Sequence, residues 1–460
     1  MSNAKHYIPP RPHSLAALPA LLRVLWNGDG NLLELLPAAA YRFDVGNLGY
    51  SRRSTVLFNE PSLVRQILRD ADGVFPKSDL MVNALEPLIG ESIFVTDGEK
   101  WRRQRAMIDP AFSHMRISLA FDAMRSAVDA YEATLLAQAA SGEPFSLDLA
   151  MSQLTADIIC RTVFSTSLDS QVAHDVFEDF TVFERSVAQV DIKRLIFEPA
   201  WTRAPQPEVV LRACERIRSH LGALVDTHLE EGASYNDIAS AVIAARDGDT
   251  GEAFTRDELI DQLGVFFLAG HETTASVLTW LFFIAACQPG VVATLREEVD
   301  RVVGDGEVAF EHIRQLPRVR AVFRETLRLY PPITFMPRVA LQDTVVGRRK
   351  LRRGALVMIS PWTLHRHRDY WEHPHAFLPE RFLPEHEGAL TDGAYIPFGQ
   401  GPHTCVGAGF AQTESVLIVA RLLQRFDFTA LDAQRVRPAA RLTTRPREQI
   451  MCRVSARKPA

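Results

Sequence analysis

The chain of 460 residues lacks any pair of neighbouring cysteines. Its five, Cys160, Cys214, Cys287, Cys405 and Cys452, are odd in number and widely spread. That excludes a disulfide framework and indicates free thiols in a reducing compartment. A basic-then-apolar leader with a small-residue cleavage site is also missing. The most apolar N-terminal stretch, residues 15–26, is broken by Pro19 and Arg23. It falls short of the ~20 apolar residues that span a bilayer, so the expectation is a cytoplasmic protein without a transmembrane anchor. There is no excess of basic charge: 51 Lys and Arg stand against 56 Asp and Glu, a formal net charge of -5. Binding to nucleic acid, which favours a basic face, is therefore not expected. Linkers, repeats and low-complexity tracts are absent as well. Residues 1–460 are expected to form a single domain, with 1–30 as a loosely packed N-terminal segment. A single core seldom grows past ~250–300 residues, and a cofactor filling part of the interior would account for the size.

Helical periodicity dominates what is present. After a strand pair and short helix within 46–70 and an irregular apolar stretch at 71–98, helices are expected near 100–112, 117–140, 145–165, 171–190 and 207–231. The greasy stretch, carrying Met81, Leu85 and Leu88, reads as a lid over an apolar cavity or as a plainly packed loop. A helix of about 30 residues should run from 256 to 287, ending before Pro289. It is apolar nearly all round, which places it in the middle of the protein. Its run Leu268-Ala269-Gly270-His271-Glu272-Thr273-Thr274 sets charge and hydroxyls where burial disfavours them. Two more helices (289–304 and 316–330) precede short strands at 336–339, 344–346 and 355–359. A last helix should begin near Cys405 and reach about 426, followed by strand-like pieces. The fold class is mainly α with a minor β region.

Residues 398–409 set Cys405 among Gly399, Gly401, Gly407 and Gly409. Glycines allow tight turns and close approach of backbone to a flat ligand. A thiolate beside a helix start has its charge moderated by free amides. Taken alone, the cysteine is equally a buried thiol in a glycine-rich loop. Glu325 and Arg328 sit three apart on one helical face, which alone describes a solvated surface pair. The histidines 365, 367, 373 and 375 have no recognised metal-site spacing.

Together these segments resemble the cytochrome P450 family, from about residue 30 to the end. Phe398, Gly401, Cys405 and Gly407 resemble its haem-binding signature. Glu325-Thr-Leu-Arg328 resembles its Glu-x-x-Arg helix, and Pro379-Glu-Arg381-Phe its second arginine segment. Ala269-Gly270-x-Glu272-Thr273-Thr274 resembles its oxygen-activating segment, and Trp101-x-x-x-Arg105 its propionate-contacting helix. The resemblance implies the family's fold, a single haem-enclosing unit with a long central helix. It also implies haem b with an axial thiolate from Cys405, which would be the metal ligand. Trp101, Arg105, Arg338, Phe398, His403, Cys405 and Gly407 would then bind the cofactor, and Glu325, Arg328 and Arg381 would form a structural network holding the cysteine loop. Thr273 and Glu272 would be catalytic, Glu272 linking the site to solvent protons. Gly270 and Thr273 would open a groove or bulge in the helix, and His271 would point away from the haem and pair with a neighbour.

Positions lining the substrate pocket would be Met81, Leu85, Leu88, Val265, Leu268, Ala269, Ile333, Thr334 and Phe335, with Thr334 the main polar handle. Such a pocket suits a hydrophobic small molecule, whether fatty acyl, terpenoid, steroid-like or aromatic. The implied reaction is hydroxylation by dioxygen with two external electrons. The 55 residues after Cys405 are too few for a flavin or iron–sulfur domain. A separate ferredoxin or flavodoxin and an NAD(P)H-dependent reductase are therefore implied, with Arg102 and Arg103 facing outward towards an acidic donor. The alternatives are a peroxide-using peroxygenase or hydroperoxide-rearranging enzyme and, further off, a non-catalytic haem sensor.

Overall fold

The computed structural model describes residues 6–27, 31–48, 53–187, 199–203, 205–231 and 235–457. Its axis is the helix Arg256–Cys287, buried on nearly every side. Thr255 starts it with a capping box: its hydroxyl accepts from the Glu258 amide, and the Glu258 carboxylate accepts from the Thr255 amide at 2.8 Å. Such reciprocal caps satisfy amides that have no partner inside the helix. Pro289 opens the next helix, Pro289–Val302, and so marks where the central helix must stop.

The helix Leu147–Phe164 packs along the central helix, and Gly270 is the reason it can approach. A Cβ built there would lie 2.4 Å from Ile159 Cδ1. Helical hydrogen bonding continues unbroken from Arg256 to Cys287, so the bulge expected at Gly270 and Thr273 is corrected. The glycine serves contact between helices.

A four-stranded sheet lies beside the helices. Val45–Asn47 pairs antiparallel with Thr55–Phe58, which runs parallel to Leu356–Ile359, which pairs antiparallel with Met336–Val339. Along the last strand, residues 74–78 form a further edge. Leu341 and Val339 donate to the Val74 and Pro76 carbonyls, and Lys77 bridges Arg338. Two basic side chains are thereby brought side by side from opposite ends of the sequence.

Several expectations change. Within the irregular stretch 71–98 lies a helix, Asp79–Ile89, capped by Ser78 and closed at Gly90, whose φ is +48°. Met81, Leu85 and Leu88 fall four and three residues apart, on one face. The N-terminal segment is not loose over its described residues. Phe377 donates to the Tyr7 carbonyl at 2.9 Å and the Tyr330 hydroxyl to the Pro10 carbonyl at 2.6 Å. A helix, Ala17–Asn27, buries Ala20 and Val24. The hairpin Pro438–Ala440/Thr444–Pro446 was not anticipated, and it reaches the centre of the molecule.

Candidate active site

The cysteine loop is shaped by its glycines. Gly399 and Gly401 both hold φ near +79°, a region that favours glycine. At Gly401 a Cβ would also lie 3.0 Å from the Leu68 carbonyl oxygen. The Cys405 amide donates to the Phe398 carbonyl at 2.9 Å, and the Thr404 amide to that of Gly401 at 3.2 Å. The helix Ala408–Arg425 follows, starting three residues after the cysteine. Cys405 keeps exposed surface, yet burial holds its thiol above the ordinary value, against the pull of the Gly407 amide and Arg105. A sulfur enclosed by protein but free on one side is the arrangement of a concave ligand seat.

Around that seat lie four basic groups. The Arg105 guanidinium donates to the Thr404 carbonyl at 2.6 Å and pairs with Asp109 at 2.5 Å. Arg338 is buried and, among the described residues, donates only to the Pro337 carbonyl. His403 packs on Trp101 with ring centroids 3.9 Å apart, and its Nδ1 is buried without a partner. Burial, then Lys77, Arg338 and Arg105, hold its imidazole down at about 3. Lys77 was missed from the sequence. Its ammonium reaches the Ile93 and Thr96 carbonyls at 3.1 and 2.5 Å, with Asp97 at 4.0 Å. Burial, opposed by Asp97 and reinforced by Arg338, lowers it to about 7. Arg105 already has Asp109 and Lys77 has Asp97 nearby, so the buried Arg338, bonded only to a carbonyl among the described residues, is the cation that most needs a negative ligand. Two carboxylates beside a flat macrocycle would meet that need, and a thiolate on the same seat would meet its iron, so the residues fit a haem.

On the central helix, Thr273 donates its hydroxyl to the Ala269 carbonyl at 2.7 Å. Glu272 does not open to solvent. Its carboxylate accepts from the Thr443 hydroxyl at 2.5 Å and from Arg445 Nε at 2.9 Å, with Arg445 NH2 on its second oxygen. Both partners come from the unanticipated hairpin. Burial opposes the charge of Glu272, yet Arg445, His271 and Thr443 together hold its carboxyl below the usual range. His271 does pair with a neighbour: its Nε2 lies 3.2 Å from Glu184.

Glu325 and Arg328 are fully buried and bonded through both carboxylate oxygens, at 2.7 and 2.8 Å. Arg328 also donates to the carbonyls of His365, Pro374 and Ala376, each at 2.8 Å. His365 in turn accepts the Ile396 amide at 2.9 Å, two residues before Phe398. The surface reading of this pair is thereby excluded. Arg381 joins only loosely, with Nε 3.6 Å from Glu325 and NH2 donating to the His373 carbonyl at 3.2 Å. Of the other arginines, Arg102 is exposed. Arg103 is not free to meet a donor, because it pairs with Asp247 at 3.1 Å and Glu258 at 2.8 Å.

Among the pocket candidates, Met81, Ala269, Ile333 and Phe335 keep free surface, while Leu85, Leu88, Val265 and Leu268 are enclosed. Thr334 is corrected as a polar handle: its hydroxyl bonds that of Thr444 at 2.8 Å in a buried position. The four that keep free surface are all apolar. No helix among the described residues is by itself long and apolar enough to cross a membrane.

The chain resembles known proteins over nearly its whole length. The family model described as Cytochrome P450 matches residues 12–453. Cyclooctat-9-en-7-ol 5-monooxygenase of Streptomyces melanosporofaciens is 30% identical over 444 residues, covering 92% of each chain. Cyclooctatin synthase of the same organism is 29% identical over 416 residues, 89% of this chain and 88% of that one. The crystal structure of a cytochrome P450DA haem domain superposes with a TM-score of 0.82 over 98% of each chain, at 23% identity, which speaks to the fold.

Proposed function

The chain belongs to the cytochrome P450 family and is a monooxygenase of that type, and on that premise we propose that it hydroxylates an apolar, terpenoid-like hydrocarbon skeleton with Cys405 as the axial thiolate of its haem. The observation that carries this is Cys405, exposed on a glycine-shaped loop, with Arg105, Arg338, Lys77 and His403 gathered around that loop. When bound, the haem supplies the activation of dioxygen, with one oxygen atom going to the substrate and the other to water.

The chain's own residues do the rest. Arg105 and Arg338 offer planar forks suited to propionate carboxylates, and Lys77 adds a point charge. Trp101 packs against the His403 ring, the two planes tilted by 34°. Phe398 lends its carbonyl to the turn that presents Cys405, and Gly407 brings its amide to the sulfur. Thr273 spends its proton on the Ala269 carbonyl, which leaves its oxygen free to accept from a water and hold it at the reacting face. Glu272, one residue away, is the acid that feeds that water.

The free lining of Met81, Ala269, Ile333 and Phe335 excludes water without offering a hydrogen bond. A site without polar handles discriminates by shape, at only ~1–3 kcal/mol per methylene. A rigid hydrocarbon suits such a site, and the relative named for cyclooctat-9-en-7-ol is consistent with it. Electrons are proposed to come from a separate ferredoxin or flavodoxin and its NAD(P)H-dependent reductase, and the protein is proposed to be cytoplasmic.

The test is a ligand screen by Soret shift across terpenoids, fatty acids, steroids and aromatics, followed by turnover of the binders under isotopically labelled dioxygen with a surrogate ferredoxin and reductase. One labelled oxygen atom in a terpenoid product is expected. Product with peroxide alone and none with reductant would establish the peroxygenase instead.

A further inference from the structure

Glu272 has no route of its own to solvent, since its side chain is 4% exposed and clamped by Arg445. Its neighbour His271 supplies one. The Nδ1 of His271 lies 2.8 Å from the Phe267 carbonyl, and its Nε2 lies 3.2 Å from Glu184 Oε1. A carbonyl can only accept, so Nδ1 carries a hydrogen. Nε2 then either carries a second hydrogen or accepts one from a protonated Glu184. In both cases the pair holds an exchangeable proton, at a 3.2 Å contact that leaves Glu184 Oε1 with no other partner among the described residues.

Three further observations give that proton a direction. Glu184, on the helix Gln171–Val187, has a side chain 21% exposed while that of His271 is 2% exposed, so the pair opens outward at Glu184. One ligand atom each of Glu184, His271 and Glu272 lie within 4.8 Å of one another. Phe177, Phe180 and Phe267 surround the imidazole, with centroids 6.2, 5.6 and 4.8 Å away, leaving few competing acceptors. A metal ion among the three side chains would sit beside the Arg445 guanidinium already bonded to Glu272, which argues for a proton in place of a cation.

We propose that Glu184 and His271 relay protons from solvent to Glu272, and through it to the Thr273 face of the site. The proposal rests on the monooxygenase reading, because hydroxylation consumes protons at that face. In the relay, protonated His271 gives its Nε2 proton, through one bridging water, to the Glu272 carboxylate and becomes neutral, keeping Nδ1–H on Phe267. Glu184 then takes a proton from water at the surface and passes it to Nε2. One proton enters and one moves inward, with no other bond changed.

The electrostatics agree with this order of stations. Burial and the Glu272 charge raise Glu184 above the usual carboxyl range, against His271 and Arg445. Burial opposes protonation of His271, but the hydrogen bond and charge of Glu184, then Glu272, raise it. Glu272 is held low by Arg445, whose other charged neighbours are Glu184 and Asp148. At rest the proton stays on the Glu184–His271 pair. Arg445 is the counterweight that keeps Glu272 ready to accept it.

The test uses Glu184→Gln, which keeps an acceptor for His271 but cannot pass a proton, and His271→Asn, which removes Nε2. With a surrogate ferredoxin and reductase, both are expected to lower product formed per NAD(P)H consumed by about a hundredfold, the low side of what positioned proton transfer contributes. The solvent isotope effect on turnover should rise, the substrate-induced Soret shift should stay unchanged, and Glu184→Asp should restore part of the coupling. Independently of turnover, the nitrogen NMR spectrum of histidine-labelled wild-type protein should show the His271 Nε2 proton shared with Glu184 at neutral pH. Wild-type coupling and isotope effect in both variants, or a His271 Nε2 without any proton contact, overturns the relay. A wild type that oxygenates no substrate overturns the monooxygenase reading itself.

Discussion

Replacing Glu325 by glutamine should be among the most damaging isosteric changes in the chain. Arg328 uses every N–H: two bond Glu325, and three bond the carbonyls of His365, Pro374 and Ala376. Glu325 Oε1 also accepts the Leu378 amide at 2.8 Å. A glutamine keeps the shape but must turn its NH2 towards Arg328, so at least one buried donor loses its acceptor, at about 1–3 kcal/mol. It also leaves the guanidinium uncompensated, and breaking a fully buried pair costs about 3–5 kcal/mol in all. Against a native stability of about 5–15 kcal/mol, that is a large share. Arg381→Gln should cost no more than about 1 kcal/mol, because its Nε stands 3.6 Å from Glu325 and the pair is weakly bonded. The damage should reach the cofactor, since Arg328 holds the His365 carbonyl and His365 holds the Ile396 amide ahead of the cysteine loop. The assay is urea unfolding of the haem-free proteins by circular dichroism, with the midpoint read at constant slope, alongside haem loss from the loaded proteins. Equal midpoints and equal haem retention in Glu325→Gln and Arg381→Gln would refute the reasoning.

Three further outcomes are expected. Thr273→Ala should bind substrate with an unchanged Soret shift yet release peroxide while consuming reductant; product yield equal to wild type would contradict its placement. Gly270→Ala should destabilise by the ~1–3 kcal/mol of overpacking, less the ~1 kcal/mol that alanine gains in a helix. Ile159→Ala in the same chain should recover most of the loss, and strict additivity in the double-mutant cycle would exclude the contact. Lys77, lowered to about 7 by burial, is mostly neutral above that pH in the haem-free protein, and a propionate beside it favours the charged form. Haem binding should therefore take up a proton at about pH 8 and almost none at about pH 6. Calorimetry in buffers of different ionisation enthalpy checks this, and uptake that persists in Lys77→Met would assign it elsewhere.

Most helices were legible because apolar spacing reports directly on a face that must be buried: Arg256–Cys287 stands where an all-round apolar run required it. The cysteine seat was legible because glycine is needed where φ is positive, as at Gly399 and Gly401. What stayed hidden depends on contacts between distant segments. Lys77 is an ordinary lysine until the edge at 74–78 sets it against Arg338. Arg445 and Thr443 are ordinary hairpin residues until that hairpin meets Glu272. Gly270 was read for its effect on its own helix, while its function is fixed by Ile159 on another. The helix Asp79–Ile89 was obscured by Pro87 within it, a residue that ordinarily breaks helices. The Ser78 cap two residues after Pro76 was the available signal.

The thiolate seat is the centre of the account, and one spectrum tests it. Reduced wild-type protein loaded with haem and exposed to carbon monoxide should show the long-wavelength Soret band of a thiolate-ligated haem. In Cys405→Ala that band should vanish, while the rim of Lys77, Arg105 and Arg338 still retains some haem. A thiolate-type band persisting in Cys405→Ala would contradict the assignment of the axial ligand and the site built upon it.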